Sequence, residues 1–259
     1  MSKVPCIISR PGGKARLLKH LLPLPPHTCY VEVFGGGLAV FRAKERSKVE
    51  VINDLDDNLA NLYRVLKYHE PELERELALH LNSRSFLREC RTNRGFTDIQ
   101  RAARYLHANA ISFGGEGLNF GIVKQSGGGA SKSLKNKLAA CRDFAARLDG
   151  VICEHLDWRR VLALYDGPET LFFLDPPYVG GAQKCYSPWT LEQMQELADA
   201  LRTVKGNWLL TVGGTVEMQA MFAQAPQQLV QRGRCINNNA KVKEPQFAEL
   251  IVRKPSTES

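Results

Sequence analysis

Between Tyr30 and His69 the sequence alternates in a way that few folds accommodate. Tyr30–Phe34 (YVEVF) is a short β-rich run that breaks into Gly35-Gly36-Gly37, and LAVFRAKE follows with helical composition. Val49–Ile52 is strand-like again and ends in Asn53-Asp54, ahead of the helical LDDNLANLYRVLKYH. Strand, glycine turn, helix, strand, acid, helix is the opening of a doubly wound nucleotide-binding sheet. The alternation lapses from about 70 to 147 and resumes with strands expected at Val151–Glu154, Thr170–Leu174, Trp208–Val212 and Leu250–Val252. Helices are expected between them at Leu191–Arg202 and Val216–Phe222. The simplest reading is one α/β sheet carrying a helical insertion, in which the glycine- and serine-rich FGGEGLNFGIVKQSGGGAS forms an exposed loop.

That insertion holds the charge. The chain of 259 residues has a formal net charge of +8, and the stretch from Arg84 to Arg147 accounts for all of it. Twelve basic residues there (Arg84, Arg88, Arg91, Arg94, Arg101, Arg104, Lys124, Lys132, Lys135, Lys137, Arg142, Arg147) face four acidic ones (Glu89, Asp98, Glu116, Asp143). A polyanion is the partner such a segment suits, and solvated helix faces are the plain alternative. No apolar run approaches the ~20 residues of a membrane-spanning helix, and the N-terminal stretch lacks the apolar core of a secretory signal. The seven scattered cysteines, none in a CxxC pair, read as reduced thiols of a cytoplasmic protein without a zinc site.

Two motifs carry chemistry. Phe34-Gly35-Gly36-Gly37 lacks side chains where a backbone passes close to a ligand, but it fits neither GxGxxG nor a phosphate-binding P-loop. Asp54, 18 residues after Gly36, stands where such folds place a carboxylate for ribose hydroxyls, or else it caps a helix. Asp175-Pro176-Pro177-Tyr178 follows the buried-strand run TLFFL. By average composition this tetrapeptide is expected roughly once per thousand chains of this length. Its prolines supply no N–H donors, so carbonyls and the Asp carboxylate face the cleft as acceptors beside a flat aromatic ring. That set suits a planar base bearing an exocyclic amine.

These residues resemble the amino-methylating DNA methyltransferases, specifically the Dam-like adenine-N6 group. Arg10-Pro11-Gly12-Gly13-Lys14 is similar to their N-terminal cofactor motif, with Arg10 where many relatives carry an aromatic. VEVFGGGLAVF is similar to their F-x-G-G motif, Asn53-Asp54 to the acidic motif, and LDPPY to the catalytic one. Tyr186 to Leu210 and Glu249-Leu250-Ile251 resemble later helix and strand segments. The order is the α arrangement, and FGGEGLNFG looks more like phage- and prophage-encoded members, so the housekeeping GATC target is not carried over.

The resemblance implies a Rossmann-like S-adenosylmethionine-dependent fold, with a catalytic domain of 1–69 and 148–259 and a target-recognition insertion of 70–147. It implies that Arg10, Gly13, Lys14, Phe34, Gly36, Gly37, Asp54, Asp157, Trp158 and Asp175 hold the cofactor. Asp175, Pro176, Pro177 and Tyr178 would perform the transfer on a flipped adenine, without a metal. Arg94, Phe113, Asn119, Phe120, Lys124, Lys132, Lys135 and Lys137 would meet double-stranded DNA, the enzyme acting as a monomer or weak dimer. Cytosine-N4 methylation is the nearest rival, glutamine methylation is more remote, and a catalytically inactive DNA-binding relative belongs to another class.

Overall fold

The computed structural model describes residues 4–10, 12–122, 134–180, 189–232 and 247–255. A 3-10 turn (Lys14–Arg16) and α1 (Leu18–Leu21) lead into β1 (Cys29–Glu32), α2 (Ala39–Ala43), β2 (Val49–Asn53) and α3 (Asp57–Tyr68). Helices α4 (Glu70–Ala78), α5 (Arg84–Thr92), α6 (Asp98–Ile111) and α7 (Lys135–Arg147) come next. The sheet then resumes with β3 (Ile152–Glu154), α8 (Trp158–Tyr165), β4 (Thr170–Leu174), α9 (Leu191–Thr203), β5 (Asn207–Gly213) and α10 (Val216–Met221), and it ends in β6 (Gln227–Arg232) and β7 (Phe247–Arg253).

The strands form one sheet in the order β3-β2-β1-β4-β5-β7-β6. β1 to β5 pair in parallel, and β7 runs antiparallel between β5 and β6. The chain winds outward from β1 in both directions, so the sheet's switch point lies between β1 and β4, where open α/β sheets hold their ligands. Both chemistry-bearing motifs leave the sheet there: the glycine turn after β1 and Asp175 after β4.

All five residues of β4 are buried, as a central parallel strand covered on both faces requires. Leu171 and Phe173 join Tyr30, Ile52, Phe41 and Leu62 on one face, while Phe172 and Leu174 join Val31, Val51, Val161 and Leu197 on the other. The helical stretch is built onto the first of these faces. Leu73 and Leu77 of α4, Ala103 and Leu106 of α6, and Phe144 of α7 belong to the same apolar cluster as Leu59 and Leu62 of α3. Helix α5 packs through Leu87 on Ala108 and Ile111 of α6, with Phe120 against that small cluster.

The expected strands and helices are present, with β4 at its expected bounds and other ends shifted by at most three residues. β6 is an addition to the reading. QQLVQR has only two apolar residues, and Leu229 is 45% exposed on this outermost strand, so an edge position leaves no alternating pattern to read.

Candidate active site

The turn after β1 is shaped by hydrogen bonds to the end of β2. Gly35 N donates to Asn53 O (2.7 Å), and a Cβ on Gly35 would stand 2.9 Å from that oxygen. Gly36, at φ 50°, donates its N–H to Asp54 Oδ2 (2.7 Å), while Asp54 Oδ1 accepts from Asp56 N (2.9 Å). Burial raises the Asp54 carboxyl above its ordinary value, opposed by those two N–H groups and by Arg10. Asn53 donates to Val33 O and Leu156 O and accepts from Leu156 N, which ties β1 and β2 to the loop before α8.

Asp175 sits at the carboxyl end of β4 in a cluster of buried charges. Its Oδ1 accepts from Thr211 Oγ1 (2.9 Å) and pairs with Lys14 Nζ (2.6 Å), whose side chain is only 2% exposed. Lys14 also donates to Gly12 O (2.7 Å), lies 3.9 Å from Glu249 Oε2, and stands 5.1 Å from the centre of the Tyr178 ring. The Tyr178 hydroxyl donates to that same Glu249 oxygen. Glu249 is fully buried on β7, opposite Gly213 of β5. Chain segments around residues 14, 178 and 249 are thus fastened to one carboxylate. Oδ1 is engaged twice, whereas Oδ2 accepts no hydrogen bond from the described residues.

Lys14, Asp54, Asp175 and Tyr178 line one cavity of about 700 Å³, within the range of small-molecule sites. Gly13, Phe34, Gly36, Gly37, Asp157, Trp158, Pro176 and Pro177 line it too. Asp157 caps α8 through Arg159 N (2.9 Å) and pairs with Arg159 (3.1 Å), and Trp158 is buried in the core beneath the cavity. Arg10 lines the wall but is engaged there by Asp56 and the Tyr105 hydroxyl. Burial would raise the Asp56 carboxyl, yet the Arg10 charge and hydrogen bond hold it below its usual value.

Protein-family comparison settles what the arrangement belongs to: residues 11–249 match the model of the D12 class N6 adenine-specific DNA methyltransferases. The chain belongs to that family. It is 33% identical over 115 residues to the Type II methyltransferase M1.LlaDCHI of Lactococcus lactis subsp. cremoris, an alignment spanning 40% of this chain and 40% of that relative.

In this D12-class chain the candidate DNA contacts divide. Phe113 and Asn119 are exposed on a short loop whose Gly115, Glu116 and Gly117 line the cavity. Phe120 instead packs under Arg84, 5.0 Å from its guanidinium, against the α5–α6 cluster. Lys137 donates to Ile7 O (2.6 Å), tying α7 to the N-terminal segment. Pro11, Lys124, Lys132 and Tyr186 lie outside the described residues, as does the side chain of Lys135.

Much of the positive charge between Arg84 and Arg147 is paired. Arg101 pairs with Asp57, Arg104 with Glu89, Arg142 with Glu74, and the buried Arg147 with Glu50. Three of those four acids are outside the 84–147 window, so counting within it overstated the free charge. Arg88, Arg91 and Arg94 are exposed, and their side chains make no hydrogen bond or ion pair among the described residues.

Sequence reasoning passed over Glu249, Thr211 and Asn109 as site residues. Asn109 ties Ser9 and Gly115 to α6 with bonds of 2.6–3.0 Å. It also passed over Glu32 and Trp189 in the cavity wall, Trp189 standing edge-on to Phe34 at 5.6 Å. Burial pushes the Glu32 carboxyl up to about 7, against hydrogen bonds from the Tyr30 hydroxyl and Phe41 N. Only pairing across long sequence separations exposes these roles.

Among the described residues no helix is long and apolar enough to cross a membrane, and no group of three or more His, Cys, Asp or Glu side chains is arranged to hold a metal.

Proposed function

We infer that this protein transfers a methyl group from S-adenosylmethionine to the N6 amine of adenine in DNA. The observation that carries the reading is the doubly fastened Asp175, one oxygen held by Lys14 and Thr211, in the wall of a cavity that the β1 glycine turn also lines.

The residues fit the donor. Each Asp54 oxygen already accepts one backbone N–H and retains a lone pair for a ribose hydroxyl. Trp158, Phe34 and Trp189 offer apolar surface to a nucleoside, and Gly36 and Gly37 keep the turn free of side chains. When bound, S-adenosylmethionine supplies an activated methyl group.

The chain's own residues do the positioning. A base must leave the duplex stack to reach the cavity. Asp175 Oδ2 accepts one hydrogen of its amine and the Pro176 carbonyl accepts the other, which draws the nitrogen out of conjugation and aims its lone pair. Tyr178, its hydroxyl tethered to Glu249, presents a fixed ring face for the base. As the nitrogen bonds to methyl it gains positive charge, which the Asp175 carboxylate offsets from a preorganised position. Residues 70–147 serve target recognition while contributing α4, α6 and α7 to the common core. A DNA substrate supports a cytoplasmic location.

Incubation of the purified protein with DNA and labelled donor, followed by digestion to nucleosides, tests this directly. The expected product is N6-methyladenine. Label in N4-methylcytosine would move the reading to its rival, and retained DNA with no transfer would leave an inactive binder.

A further inference from the structure

Phe96 is 95% exposed at the tip of the connection between α5 and α6, the most exposed large apolar side chain described. Its loop is held in place from several sides. Gly95 N donates to Asn93 Oδ1 (2.9 Å), Phe96 N to Gln100 Oε1 (3.0 Å), and Arg104 Nη1 donates to Asn93 O (3.0 Å). Gly95 has φ +93° and is packed so closely that a Cβ would stand 2.8 Å from Gln100 Cβ. An aromatic on a braced loop loses little conformational freedom when it is used as a contact.

Its surroundings indicate the partner. Arg84, Arg88 and Arg91 recur at helical spacing along one stripe of α5, and Arg94 follows just beyond the helix end, two residues before Phe96. None of these four arginines has an acidic partner among the described residues, and Arg84 lies over the Phe120 ring while Arg88, Arg91 and Arg94 make no side-chain hydrogen bond either. Arg91 and Arg94 also line the Asp175 cavity. Phe113, 55% exposed, projects from the other loop that lines it. Two loops at one cavity therefore each carry a bare phenylalanine, and one of them ends a row of unpaired arginines.

We propose that the Phe96 loop is a second DNA-contacting element, in which Arg88, Arg91 and Arg94 hold backbone phosphates and the Phe96 ring wedges against the base stack beside the withdrawn nucleotide. The proposal rests on the DNA-methylating reading and adds to it an element outside the glycine-rich loop. Apolar wedges between base steps are a general way to stabilise a deformed duplex, and arginines beside them supply sequence-independent affinity.

The test uses the full chain on closed circular DNA, with helical unwinding read from topoisomer distributions after relaxation. Phe96→Ala should bind roughly 5- to 150-fold more weakly, the span measured when stacked aromatics are truncated, and should unwind less DNA per bound protein at saturation. Its salt dependence and donor affinity should not change, and Phe96→Trp should restore unwinding. The Arg88→Ala/Arg91→Ala/Arg94→Ala variant should flatten the slope of log affinity against log salt by about 2–3. Wild-type affinity and unwinding in Phe96→Ala would overturn the wedge, and an unchanged slope in the triple variant would overturn the phosphate contacts. If wild-type protein neither binds nor methylates DNA, the functional reading fails and takes this proposal with it.

Discussion

At the residue scale the site depends on which oxygen of Asp175 is free. Lys14 and Thr211 both engage Oδ1, so the carboxylate cannot rotate without losing two partners. Thr211→Val removes one of them at constant shape, and a hydrogen bond of ordinary strength is worth about 0.5–1.5 kcal/mol. Transfer should slow roughly 2- to 10-fold with donor affinity unchanged, as single-turnover kinetics and calorimetry would show. Glu32 gives a pH-dependent test. Its folded value of about 7 lies above the ordinary 4.5, so its contribution is intact at low pH and is lost as pH rises through 7. Glu32→Gln keeps an acceptor for Tyr30 and Phe41 N, and so it should match wild type near pH 5. At pH 8 it should melt as the more stable protein by roughly 2–3 kcal/mol; equal stabilities at pH 8 would count against a protonated, buried Glu32.

Among the elements, what the sequence could disclose follows from how locally each is specified. β4 is five buried residues ended by Asp175-Pro176, and the β1 turn is marked by its glycines, so both are legible without any partner. β7 was visible only in its apolar centre, because the ends of Phe247–Arg253 are held by ladder hydrogen bonds that leave no composition signal. The convergence of Lys14, Asp175 and Glu249 depends on strand order and was invisible in sequence. The packing among α4, α5 and α6 hides another feature of this kind. His107 of α6 is fully buried against His80 and Phe86, its ring nitrogens without side-chain partners, and burial with the His80 charge pushes it down to about 4. Burial lowers His80 too, while Glu76 works against this and Arg104 with it. The unfolded chain takes up a proton near 6.5 and the folded one does not, so stability falls between about pH 6.5 and 4. In His107→Leu thermal melts the difference from wild type should shift in the variant's favour across that interval. A pH-independent difference would contradict a neutral buried imidazole.

For the whole molecule, the sheet's switch point assembles one site from distant segments. The glycine turn follows β1, Asp54 follows β2, Asp157 follows β3, Asp175 follows β4 and Glu249 comes from β7, and the first four line one cavity with Lys14. The D12-class family match over residues 11–249 covers all of these parts. The helical segment shares the core through α4, α6 and α7, so it cannot shift as a loose appendage, and Arg91 of α5 and Arg94 of the loop after it line the cavity. The central claim is that this assembly exists to hold a reacting amine on Asp175. Methyl transfer to DNA by Asp175→Ala, measured in single turnover at saturating donor, tests it most directly. The expected rate is at least ~100-fold below wild type, with the fold and most DNA affinity retained; a rate near wild type would contradict the account.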